Sequence, residues 1–134
     1  MNRLFLDANV LFSAAYSAKS GLLVFWKLKN VALLSSRHAL EEARTNLEEE
    51  AQRLRLDTLA KKLQFFEAAT AELPKNILLP EKDVPIFLAA IEGRATHLIT
   101  GDLRHFGSYF GKVVEGILIL PPSGYLKRFT GLSS

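Results

Sequence analysis

The chain has 134 residues, 49% of them hydrophobic and 23% charged, the composition of a soluble globular domain able to bury a core of its own. It contains no cysteine, which excludes disulfides and thiolate metal sites. A formal charge of +3 is compatible with a nucleic-acid partner without being specific for one.

The opening "RLFLD" reads as a short buried strand that ends at Asp7, and "ANVLFSAAYS" as the start of a helix. Arg3 and the apolar residues around Asp7 loosely imitate an export signal. Asp7 and Asn9, however, interrupt the apolar region of about 7–15 residues that such a signal needs. No stretch approaches the ~18 apolar residues of a membrane-spanning helix, so a cytoplasmic protein with no membrane contact is expected.

"SGLLVFWKLKN" predicts a second helix with Ser20 as its N-cap, and "VALLSS" a second strand whose closing serines can cap the next helix. Arg37 to Glu50 is rich in Ala, Leu and Glu, all strong helix formers. Leu56, Leu59, Leu63 and Phe66 then recur at helical spacing through about Leu73, where Pro74 ends the helix. A helical pair at about 37–73, projecting beyond the sheet, is the expectation. "NILLP" reads as a third strand. "KDVPIFLAAIEGR" is a helix with Pro85 in its first turn and Gly93 near its end. "THLIT" is a fourth strand, "DLRHFGSYF" a short helix or turn, and "GILIL" a fifth strand before "PPSGYLKRF". Strands alternating with helices imply one α/β domain over residues 1–134, with a mainly parallel sheet and right-handed crossovers.

In such sheets ligands bind at the carboxyl ends of the strands, where Asp7 and Asp102 fall. Ionised carboxylates there are costly unless a cation compensates them. Asp102 could equally be a turn former after Gly101. Asp83 heads a helix that is apolar on every face and lines up with Ile86, Phe87, Ala90 and Ile91, although an N-cap carboxylate would sit there too. Glu41 and Glu42 lie roughly 140° and 120° from the buried stripe of their helix, so spacing hardly separates them. Most glutamates on such helices are simply solvated. Together these acids suit an oxygen-ligated Mg²⁺ or Mn²⁺ and hydrolysis of a phosphodiester.

Four segments carry a family resemblance: "LFLDANVLFSA", "SSRHALEEARTNL", "KDVPIFLAAIEGRATHLITGDLRHF" and "GILILPPSGYL", in order along nearly the whole chain. The chain resembles the PIN-domain ribonucleases, which include the VapC-type toxins of toxin–antitoxin systems. The resemblance implies a three-layer α/β/α sandwich with a mainly parallel five-stranded sheet. It implies Asp7, Glu42, Asp83 and Asp102 as catalytic metal ligands for Mg²⁺ or Mn²⁺, with Glu41 a substitute for Glu42. Asn9 and Thr100 would position them. The implied activity is metal-dependent hydrolysis of single-stranded RNA, leaving 5′-phosphate and 3′-hydroxyl ends.

Setting aside four of the 14 acids leaves 10 against 17 basic residues, a surround of +7 suited to phosphates. Arg37, Arg44, Arg104, His105 and Lys19 are the candidates for RNA contact, whereas Trp26 and Phe65-Phe66 belong to the core. The family's toxins usually form homodimers and are held inactive by a small antitoxin. A receiver domain would need a second acid beside the first and a lysine after the last strand. A haloacid-dehalogenase-type phosphatase would need an aspartate where Asn9 stands. No phosphate-binding glycine motif supports nucleotide-cofactor chemistry. The remaining alternative is a PIN-fold module that binds RNA or protein without cutting.

Overall fold

Leu4, Phe5 and Leu6 are fully buried because the strand that carries them, β1 (Asn2–Leu6), has a parallel neighbour on each side. A central parallel strand is covered on both faces, so its sequence is continuously apolar rather than alternating. The computed structural model describes residues 1–70 and 72–131. Its remaining strands are β2 (Val31–Ser35), β3 (Gln64–Phe65), β4 (His97–Ile99), β5 (Val113–Val114) and β6 (Ile117–Leu120). The six lie in one sheet in the order β3-β2-β1-β4-β6-β5, parallel except for the β5–β6 pair.

The α/β class and mainly parallel sheet are as expected, with six strands instead of five. The extra one forms a hairpin whose two turn residues, Glu115 (φ 54°) and Gly116 (φ 77°), both take the left-handed backbone such turns require. The third strand is not "NILLP" but Gln64–Phe65, which pairs with the end of β2. In "NILLP" Ile77 is buried and Leu78 exposed, and the backbone of Leu78 is held by the Tyr109 hydroxyl in place of a strand neighbour.

The helices are α1 (Ala8–Tyr16), α2 (Arg37–Asn46), α3 (Glu50–Ala60), α4 (Val84–Glu92), α5 (Leu103–Phe106) and α6 (Pro122–Thr130). Ser20 caps its helix as expected, but Gly21–Lys27 is a 3-10 helix. The helix expected to reach Leu73 stops at Ala60, where the Trp26 indole N–H donates to the Leu59 carbonyl at 3.0 Å. Ala71 lies outside the described residues. α2 and α3 do not project from the sheet alone; both pack against α1. An ion pair from Arg44 to Asp57 ties them together.

From β1 the chain runs one way through β2 to β3, then returns through α4 to β4 on the other side of β1. With right-handed crossovers, the helices of the two halves cover opposite faces. The reversal opens a crevice between the carboxyl ends of β1 and β4. Gly93, just after α4, sits where a Cβ would lie 2.8 Å from Phe66 Cδ2, so a larger residue there would displace that ring. Among the described residues, no helix is long and apolar enough to cross a membrane.

Candidate active site

The β1–β4 ladder runs into the crevice: the Asp7 N–H donates to the Ile99 carbonyl at 3.0 Å. Asp7 is 4% exposed and every polar contact of its carboxylate is local to the crevice. Oδ1 accepts from the Ala8 N–H at 2.7 Å, capping α1, and Oδ2 accepts from the Thr100 hydroxyl at 2.8 Å and the Asn9 amide at 3.1 Å. The Thr100 hydroxyl in turn accepts from Asn9 at 3.3 Å and from the Asp102 N–H at 3.1 Å. Its single donor and both lone pairs are therefore used. Asn9 completes the link by accepting from the Gly101 N–H at 2.7 Å, and a Cβ at Gly101 would come within 3.2 Å of that same amide oxygen. Asn9 and Thr100 thus hold the two strand ends together and fix the Asp7 carboxylate between them.

Asp102 caps the four-residue α5 with Oδ1, which accepts from the His105 N–H at 3.0 Å. Its other oxygen lies 2.8 Å from His105 Nδ1, and Asp83 Oδ2 lies 2.8 Å from the same nitrogen. Asp83 occupies the N-cap position of α4, yet its side chain makes no capping bond. The capping role is thus not what retains this carboxylate in a buried position. Ligand atoms of Asp83, Asp102 and His105 all lie within 4.8 Å of one another. Although Asp83 Oδ2 and His105 Nδ1 are within ion-pair distance, neither has an aligned hydrogen bond.

Electrostatics bind the cluster into one unit. Burial pushes the Asp7 carboxyl up to about 6, against the pull of its Thr100 and Ala8 hydrogen bonds, with Asp83 and Glu42 adding repulsion. Asp83 is raised as well, first by burial and then by Asp102, while His105 acts the other way. Glu42 makes its contribution at a distance. It is exposed on α2, lines a cleft with Ala8, Asn9 and Phe12, and its charge reaches both Asp7 and Asp83. Glu41 lines only the outer cleft with Arg37 and His38, and its charge appears at neither aspartate. Buried acids crowded this way, with an orphaned oxygen on Asp83, are the donor set a hard divalent cation takes.

The basic residues expected around the site divide. Lys19 and Arg104 are exposed. The Arg37 guanidinium is 4.5 Å from the centre of the Phe65 ring, at the rim of the cleft that holds Glu42. Arg44 is engaged by Asp57. His105 is not presented as a surface cation but turned into the carboxylate cluster, with its side chain 20% exposed. The available signal was its spacing: i+3 from Asp102 in a helical turn returns a side chain over the residue that begins it.

A family model described as PIN domain matches residues 3–104. No curated protein matches the chain at a significant level. Among solved structures, a chain from the crystal structure of VapBC2 from Rickettsia felis bound to a DNA fragment from their promoter is similar in fold, with a TM-score of 0.65. It is 18% identical, and the match covers 89% of this chain and 98% of that one.

Proposed function

The chain belongs to the PIN-domain family, and on that premise we propose that it is a divalent-metal-dependent endoribonuclease acting on single-stranded RNA. The observation that supports the proposal is the cluster of Asp83, Asp102 and His105 ligand atoms, within 4.8 Å of one another, together with the charge of Asp83 and Glu42 felt at Asp7 and of Glu42 at Asp83. Asp7, Glu42, Asp83 and Asp102 would hold Mg²⁺ or Mn²⁺, which when bound acidifies a water and offsets charge on the scissile phosphodiester. Thr100 and Asn9 orient Asp7, so the carboxylate needs no rearrangement when substrate arrives. Asp83, free of any capping duty, keeps lone pairs available for a ligand or a proton. Arg37, Arg104 and Lys19 would meet the phosphates of the strand on either side.

The test is cleavage of single-stranded RNA with Mg²⁺ or Mn²⁺, comparing wild type with Asp7→Asn. Wild type should leave 5′-phosphate and 3′-hydroxyl ends, and the variant should lose at least about a hundredfold, the usual effect of removing one preorganised charged group. Equal residual cleavage in both would overturn the assignment. If calorimetry finds no Mn²⁺ site and Asp7→Asn leaves RNA affinity unchanged, a module that binds without cutting is the better description. The similar fold comes from a structure of VapBC2 bound to a promoter DNA fragment; on the PIN-family reading we take this chain for a VapC-type toxin, with a small antitoxin and a second copy of itself as the partners that reading implies. A short reading frame for a DNA-binding protein beside this gene, and inhibition of cleavage by its product, would test that role.

A further inference from the structure

Resting on the metal-dependent proposal above, we propose that His105 is a direct nitrogen ligand of the ion held by Asp83 and Asp102, so that the site takes Mn²⁺ in preference to Mg²⁺. His105 Nδ1 lies 2.8 Å from one oxygen of each aspartate, the three ligand atoms are within 4.8 Å of one another, and neither Nδ1 nor Asp83 Oδ2 has a hydrogen bond that would explain the approach. A protonated imidazole held as a counter-ion aims its N–H along the line to one carboxylate. Here that nitrogen has no aligned hydrogen bond to either oxygen, although both lie 2.8 Å away. Neighbouring ligands of a six-coordinate ion with bonds of about 2.1 Å are about 3.0 Å apart, and each aims at the centre rather than at its neighbour.

Two further observations support the assignment. Asp83 is 7% exposed and its Oδ2 has no hydrogen-bond partner, so a buried, unsatisfied acceptor lies 2.8 Å from the imidazole nitrogen. The backbone of the residue is fixed as well, because the His105 N–H donates to Asp102 Oδ1 at 3.0 Å. One aspartate therefore places the histidine with one oxygen and shares the ion with the other. The consequence is chemical. Mg²⁺ favours oxygen ligands and keeps its waters, whereas imidazole suits softer first-row ions, and affinity for a mixed nitrogen and oxygen site rises from Mn²⁺ onward along that row.

The experiment uses the full-length chain stripped with a chelator, titrated calorimetrically with MnCl₂ and with MgCl₂, and examined by pulsed electron paramagnetic resonance of the Mn²⁺ complex. Wild type should show the ¹⁴N modulation of a coordinated imidazole, and His105→Ala should lose it. The Mn²⁺ dissociation constant should rise about 10–100-fold in His105→Ala, as for loss of a metal-site partner, while that of Mg²⁺ changes far less. His105→Asn, which keeps a polar side chain of similar reach, is read in the same way should the alanine variant fail to fold. Absence of the nitrogen signal in wild type overturns the proposal, as does its persistence in the variant from another nitrogen. An unchanged or tighter Mn²⁺ constant in the variant also overturns it, because the imidazole would then be a bystander or a competing counter-ion. In those cases the carboxylate site stands without His105. If wild type binds no Mn²⁺ at all, the metal-dependent function falls as well.

Discussion

Asp7 sets the chemistry of the site and its stability against each other. Its carboxyl titrates at about 6 in the fold against an ordinary value of 3.8. The folded chain therefore holds the proton more tightly than the unfolded one through that window, and stability falls as pH rises through it. The separation is roughly 3 kcal/mol at about 1.4 kcal/mol per pH unit. Asp7→Asn removes that charge but forfeits a hydrogen bond worth about 1 kcal/mol. In chelator at pH 7.5 the variant should be more stable than wild type by about 2 kcal/mol, with the advantage gone by pH 4. Urea denaturation at the two pH values measures it, and a variant less stable than wild type at pH 7.5 would show that the buried carboxylate is not the strained group. Thr100→Val acts on the same group from the other side. Losing the hydroxyl that donates to Asp7 Oδ2 and accepts from Asp102 and Asn9 should lower stability by about 1–3 kcal/mol. It should also move the Asp7 titration, followed by carboxyl carbon NMR, further upward, since that hydrogen bond lowers it.

Asp7, Asp83 and Asp102 stand at the starts of α1, α4 and α5, whereas Glu42 lies mid-helix. Glu42 is carried by α2, whose start is fixed by buried Ser36, its hydroxyl accepting from the Ala39 N–H at 3.1 Å. Ser36→Ala should cost about 1 kcal/mol in thermal or urea unfolding, the usual worth of an N-cap, and weaken Mn²⁺ binding by loosening the helix under Glu42. Unchanged stability would mean that tertiary contacts alone fix α2. The elements legible in the sequence were those whose pattern is self-contained. β1 and α4 are unbroken apolar runs, and the caps at Ser20 and Ser36 are local. β3 was not legible: two residues, Gln64 and Phe65, are a strand only because Leu34 and Ser35 lie beside them. The helical spacing of Leu63 and Phe66 misled for a related reason, since one is buried beyond a turn and the other continues the β3 pairing. At the site, Asp7, Asp83 and Asp102 could be found because they end strands or open a buried helix. The electrostatic reach of Glu42 to Asp7 and Asp83, and the place of His105 in the cluster, emerge only with α2 and α5 set against β1 and α4.

For the molecule as a whole, burial and neighbouring acids raise Asp7 and Asp83 in the metal-free fold, and at Asp83 the charges of His105 and Lys82 offset part of this. Arg44 is bound to Asp57, Arg37 lies against Phe65, and among the described residues His105 is the basic group within ion-pair distance of buried Asp83 and half-buried Asp102. A cation that binds the folded chain and not the unfolded one therefore stabilises it by mass action, about 2.7 kcal/mol at a hundred times its dissociation constant. For a chain of this size each kcal/mol moves the melting temperature by roughly 3–5 °C, so Mn²⁺ at that excess should raise it by about 10 °C. Asp83→Asn should lose most of the shift while starting from a higher metal-free value, because burial raises Asp83 too. Differential scanning calorimetry with and without Mn²⁺ makes the comparison. An equal shift in wild type and Asp83→Asn would place the bound ion elsewhere on the surface, and no shift in either would leave the carboxylates without the cation that their burial calls for.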